Sequence, residues 1–112
     1  MKSHTKNDIT ILEIEDDNLD ATNASAFKED LKPFAQRTSK IILDLTQVRF
    51  IDSTGLGAIL SALRQLNAKN GDLKLCGMSR SVRVLFELVR MHRIVEILNT
   101  RDEAIKSFSQ PK

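Results

Sequence analysis

The segment Asp52-Ser53-Thr54-Gly55-Leu56-Gly57 holds the residues of this sequence best placed for chemistry. A carboxylate is followed by two hydroxyls, and two glycines stand just beyond them. The apolar residues Val48, Phe50 and Ile51 lead into it, and Leu56, Ile59, Leu60, Leu63 and Leu66 then recur at helical spacing. The segment therefore reads as a turn from a strand into a helix. Asp52 or Ser53 can accept hydrogen bonds from the first free amides of that helix. Gly55 and Gly57 clear space where another backbone or a partner comes close. Each costs the helix about 1 kcal/mol relative to alanine. A hydroxyl shown at a helix start sits where free amides and the helix dipole favour an anion, so the chemistry on offer is to carry a phosphate. The same residues also fit a plain capped turn with glycine packed on a neighbouring strand.

The other reactive residue types are sparse. Cys76 is the one cysteine, so an internal disulfide and a multi-cysteine metal site are excluded. It lies in the alternating run Leu73-Lys-Leu-Cys-Gly77 and reads as a buried structural thiol. His4 and His92 have no partner at ligand spacing. No nucleophile elbow, zinc-protease motif or phosphate-binding loop occurs. With no base or metal cluster beside Ser53, an enzyme is not expected, and neither is a metal or cofactor.

Several elements must position these residues. Ile9–Ile14 alternates as a strand, and the acidic stretch 15–20 follows as a loop. Thr22 or Asn23 caps a helix whose Ala24, Phe27, Leu31 and Phe34 share one face, with Pro33 kinking or ending it. Ile41–Leu45 is an apolar run suited to a central strand covered on both faces. Asn70-Gly71 ends the helix after residue 52, with glycine expected in the left-handed conformation. Asp72–Cys76 reads as a strand, Ser79 or Ser81 opens another helix, Ile94–Leu98 forms a last strand and Arg101–Phe108 a terminal helix. Strands alternating with helices predict an α/β domain with a sheet of about four to five strands and about four helices. The single domain spans 1–112, with a core over about 9–108 and flexible ends at 1–7 and 109–112.

Composition narrows the function classes. The 112 residues suit one domain. No apolar run approaches the roughly 20 residues of a membrane span, and the polar start lacks a signal core. A cytoplasmic protein follows. Aromatics are 4%, all phenylalanine, which argues against a stacking platform for single-stranded nucleic acid. Residues 1–40 carry 6 basic and 8 acidic groups, and residues 41–112 carry 11 and 7, a gradient too small to predict nucleic-acid or lipid binding. Arg80, Arg83 and Arg90 share one helical face, which reads as a solvated surface or a second contact surface.

The run from Ile41 to Leu60, IILDLTQVRFIDSTGLGAIL, resembles the signature of STAS domains, the bacterial anti-sigma factor antagonists. Gly71–Gly77, Ser81–Phe86 and Ile94–Leu98 resemble the strand, helix and strand that follow in that family. Leu19-Asp20 with Ala24 resembles the start of its first helix. The resemblance is collinear from about Ile9 to Phe108. Two places depart from it. Asp16, Asp17 and Asn18 stand where members often have a glycine, and Arg90-Met-His-Arg93 lacks another.

The resemblance implies a single STAS-like domain that works as a phosphorylation switch. It places the acceptor at Ser53, with Thr54 the competing hydroxyl. It implies that the unphosphorylated form binds an anti-sigma factor that is also a serine-protein kinase, which frees a sigma factor. It also implies a metal-dependent serine phosphatase as the resetting partner. Asp20, Asn23, Asp52, Thr54, Gly55, Leu56 and Gly57 are the expected partner-binding residues. The competing expectation is a constitutive STAS adaptor in another signalling or lipid-transport complex. Small-ligand or nucleotide binding has only the helix start behind it.

Overall fold

A computed structural model describes residues 1–109. Its chain order is β1 (Lys2–Lys6), β2 (Ile9–Glu13), β3 (Asn18–Leu19), α1 (Ala24–Arg37), β4 (Lys40–Asp44), β5 (Phe50–Ile51), α2 (Ser53–Asn67), β6 (Asp72–Cys76), α3 (Arg80–Leu88), β7 (Glu96–Leu98) and α4 (Arg101–Ser109). Five strands form a mixed sheet in the order β1-β2-β4-β6-β7. β2, β4, β6 and β7 run parallel, and β1 is antiparallel to β2. β3 and β5 form a separate two-stranded parallel pair. The expected α/β class, four helices and strand number hold.

Alternation along each strand divides the core. Leu12, Ile41, Leu43, Leu73 and Leu75 face one side, where they meet the buried faces of α1 and α2 and the buried Val82 and Phe86 of α3. Ile9, Ile11, Ile42 and Cys76 face the other side, against Ala104 of α4. Every apolar residue of β4 is buried because both faces of the central strand are covered. The α4 face carries two polar anchors. Buried Lys74 donates to Ser107 Oγ at 2.8 Å and lies 4.4 Å from the Phe108 ring centre. Arg101 donates to Asp44 Oδ2 at 2.7 Å and to Glu13 Oε1 at 3.1 Å. Burial alone would raise the Asp44 carboxyl, but hydrogen bonds from Thr46 and Arg101 outweigh it and hold it below the usual range.

Several expectations are corrected. Residues 1–7 are not a flexible end, because Lys2–Lys6 pairs along all of β2. The two-residue turn Asn7-Asp8, with Asn7 at φ 59, closes that hairpin. Ser109 belongs to α4, and the rest of the predicted C-terminal tail lies outside the described residues. Pro33 does not end α1, which continues to Arg37. The acidic loop contains the short strand β3. At the end of α2 it is Asn70, not Gly71, that turns left-handed, at φ 62. Gly71 is needed for space: a Cβ there would stand 2.7 Å from the Ser39 carbonyl oxygen.

Candidate functional site

β5 delivers the chain to α2, and Asp52 makes the corner. Its backbone is extended, at φ −106 and ψ −175, and Oδ1 accepts from the Gly55 amide at 2.9 Å. Asp52, not Ser53, is therefore the cap, and Ser53 and Thr54 become the first two residues of the helix. Both are exposed. Among the described residues neither hydroxyl has a hydrogen-bond partner. Their amides are the ones a helix start leaves open, since Gly55 donates to the Asp52 side chain and Leu56 to the Asp52 carbonyl. An exposed hydroxyl thus stands beside unfilled donors at the positive end of a 15-residue helix.

The second oxygen of Asp52 reaches across the fold. Oδ2 accepts from the Ala21 amide at 3.2 Å, joining the α2 start to the loop before α1. That loop is ordered by Asp20 and Asn23. The Asp20 amide donates to Asn23 Oδ1 at 2.9 Å, and Asn23 Nδ2 donates to the Asn18 carbonyl and to Asp16 Oδ2. Thr22 donates twice to Asp20, which holds the Asp20 carboxyl below its usual range. Asn23 occupies the cap position of α1 without a side-chain cap bond, because its side chain is spent on this loop. Asp16, Asp20 and Asp52 are thereby gathered around one hydrogen-bonded segment, so the end of the molecule that shows Ser53 is acidic.

The two glycines differ. Gly55 is buried, and a Cβ there would lie 2.0 Å from the Leu19 carbonyl oxygen. It lets α2 start against β3, so its role is internal. Gly57 is exposed, and a Cβ there would meet nothing within 4 Å. Its cost to the helix is not returned by packing among the described residues. Ser53, Gly57 and Ser61 follow at four-residue spacing and are all exposed, so one side of α2 is small and open. Leu56 is buried in the core and offers little surface.

The structure thus brings Asp20, Asn23, Asp52, Ser53 and Thr54 to one end and leaves Gly57 one turn along α2. Sequence reasoning missed the Ala21 amide, the Leu19 carbonyl and the β3–β5 pairing that joins the two loops. A two-residue bridge leaves no periodic signal, although the apolar residues Leu19 and Ile51 hint at it. The departure at Arg90–Arg93 also becomes visible: Arg90 takes φ 62, a backbone that glycine adopts freely. Clefts beside the site are small. One lined by Ile14, Asp16, Asn23 and Phe27 holds about 60 Å³, and one between Phe27, Lys28, Ala58 and Ser61 about 130 Å³. Ligand pockets usually hold about 300 Å³ or more. No described helix is long and apolar enough to cross a membrane.

Comparison with known proteins identifies the family and the fold. The STAS domain family model matches residues 1–104. The anti-sigma-B factor antagonist of Listeria monocytogenes is 35% identical over 86 residues, covering 76% of this chain and 75% of that protein. An anti-sigma-factor antagonist (STAS) domain protein of Planctomyces limnophilus superposes with TM-score 0.89 over 97% of both chains, at 15% identity. The Bacillus cell fate determinant SpoIIAA shares the fold in its phosphorylated form, with TM-score 0.71 over 96% of this chain and 97% of that one, at 20% identity. Its unphosphorylated form gives TM-score 0.68 over 98% of both chains, at 19% identity. The chain belongs to the STAS domain family.

Proposed function

We propose that this chain is an anti-sigma factor antagonist switched by phosphorylation at Ser53. The observation that carries the reading is the exposed Ser53 hydroxyl at the start of α2, without a partner among the described residues, with Asp52 holding the cap beside it. Unphosphorylated, the chain docks on an anti-sigma factor that is also a serine kinase, through the α2 start and the open side at Gly57. Asp20 and Asn23 shape the neighbouring loop. Phosphorylation ends the complex, and a metal-dependent serine phosphatase restores it. All of this takes place in the cytoplasm, and the chain itself performs no catalysis.

The physics supports this order of events. A phosphate adds about 1.5 to 2 negative charges at Ser53. Asp52 is its immediate neighbour, and Asp16 and Asp20 lie on the loop that Asp52 holds. A partner that covered a neutral hydroxyl must now desolvate a dianion among carboxylates. A penalty of about 3 kcal/mol lowers affinity by a little over a hundredfold. In the free protein the same phosphate rests on the open amides of α2, so no refolding is required. SpoIIAA resembles this fold in both its unphosphorylated and its phosphorylated form, which supports a switch at an interface.

Titration calorimetry with the anti-sigma partner tests the reading. Ser53→Ala binds like the native chain, and Ser53→Asp binds about a hundredfold more weakly. Equal affinities for the two variants would refute it.

A further inference from the structure

The large apolar side chains that remain exposed among the described residues are segregated. They are Phe50, Val84, Leu88, Val89 and Ile94, each about half exposed or more, with Leu88 at 74%. Val84, Leu88 and Val89 lie on α3 or at its end, and Ile94 closes the following turn. Phe50 lies on β5, against which α3 packs. On α3 the buried residues Val82 and Phe86 face the sheet, and Val84 and Leu88, one turn apart, point away from it. Val84 and Leu88 thus form an exposed apolar strip on the outer face of α3, the part of this set that reads as a contact surface.

Arginines outnumber acids around α3. Residues 79–95 carry Arg80, Arg83, Arg90 and Arg93 against Glu87, and Arg49 adjoins Phe50. Asp17, whose carbonyl accepts from the Arg49 and Phe50 amides, borders one end, and Asp72 and Glu96 share a cleft with Arg93 and Ile94 at the other. Glu87 is met by Arg83 at 3.9 Å, and Arg83 also donates to Asn99 at 3.2 Å. Arg49, Arg80, Arg90 and Arg93 have no acidic partner among the described residues. Arg90 holds a left-handed backbone at φ 62 that would suit glycine better, so this cation is kept at a local cost.

We infer that the α3 face docks an acidic amphipathic segment of a partner protein. A second copy of this chain does not fit. It would have to offer the same apolar cluster, the exposed one among the described residues, and would set arginines against arginines. Leucine-type side chains on one face of a helix fill the Val84–Leu88 surface, and carboxylates on its flanks meet the arginines. An anionic membrane is the other surface that apolar and basic groups could meet, and the vesicle arm of the test separates it from the peptide.

The probe is a synthetic helical peptide with leucines at three- and four-residue spacing and glutamates elsewhere, titrated into the full chain and followed by amide NMR. Shifts confined to residues 49–50 and 80–95, weaker at higher salt, are expected. Leu88→Glu weakens binding about tenfold, and so does Arg80→Glu. Both positions are exposed, so the fold is kept, and unchanged thermal unfolding verifies this. A control peptide with lysine for glutamate does not bind. The inference is overturned by no shifts at millimolar peptide, by an equal response to the lysine peptide, or by a native mass that doubles with concentration unless Leu88 is replaced. Binding to phosphatidylserine vesicles but not to the peptide overturns it as well.

Discussion

A side chain on Gly55 would put its first carbon 2.0 Å from the carbonyl oxygen of Leu19. The start of α2 and the strand β3 are thus in backbone contact, and the site depends on that contact. Gly55→Ala must push α2 away from β3. It is expected to lower stability by about 2 to 3 kcal/mol. Gly57→Ala meets no atom and removes a helix penalty, so it raises stability by about 0.5 to 1 kcal/mol. Urea unfolding of both variants checks the pair. If Gly57 serves partner approach, Gly57→Ala also binds the anti-sigma partner more weakly while being the more stable protein.

Asp52 caps α2 through one oxygen and holds the Ala21 amide with the other. Asp52→Ala removes both bonds. The expected loss is about 1 to 2 kcal/mol. Hydrogen exchange should speed up at Ala21 and Gly55 together, because one carboxylate serves both. Faster exchange at Gly55 alone would show that the two loops are held independently.

The ion pair of Asp44 with Arg101 gives a pH dependence with a defined sign. The Asp44 carboxyl is held below its ordinary value of 3.8. A carboxyl lowered by folding stabilises the protein above its unfolded value, and the contribution fades as pH falls through the folded value. Arg101→Ala should therefore cost about 1 to 3 kcal/mol near neutral pH, allowing for the partial exposure of Arg101. The gap between variant and native chain should close as pH drops below 3.8. A gap that stays constant down to low pH would mean that packing, not charge, is what Arg101 supplies.

Cys76 is fully buried, and its thiol is pushed up to about 12, chiefly by burial and then by the nearby Asp44. A neutral, enclosed thiol is a poor nucleophile. The folded protein should resist thiol reagents at neutral pH and react only at the rate of unfolding. Rapid labelling of native protein would contradict this.

Much of this was legible in the sequence. The stripe from Leu56 to Leu66, the apolar run at 41–45 and the alternation at 72–76 each carry a period that packing enforces. Asp52–Gly57 was legible because its residue types match one task, starting a helix while showing a hydroxyl. β1 was not, because all five of its residues are exposed and show no apolar alternation. Only the Asn7-Asp8 turn marked it. The two glycines looked alike in sequence, and their division into internal and external roles depends on where Leu19 lies. The Arg101–Asp44–Glu13 cluster joins residues far apart along the chain, and no local pattern announces such a pairing.

The central claim is that Ser53 receives the phosphate. It is tested most directly by incubating the chain with the proposed anti-sigma serine kinase and ATP and locating any added phosphate by fragment mass analysis. The account predicts one phosphate, on Ser53, and none on Ser53→Ala. Phosphate found only on Thr54, or no phosphate at all, would contradict it.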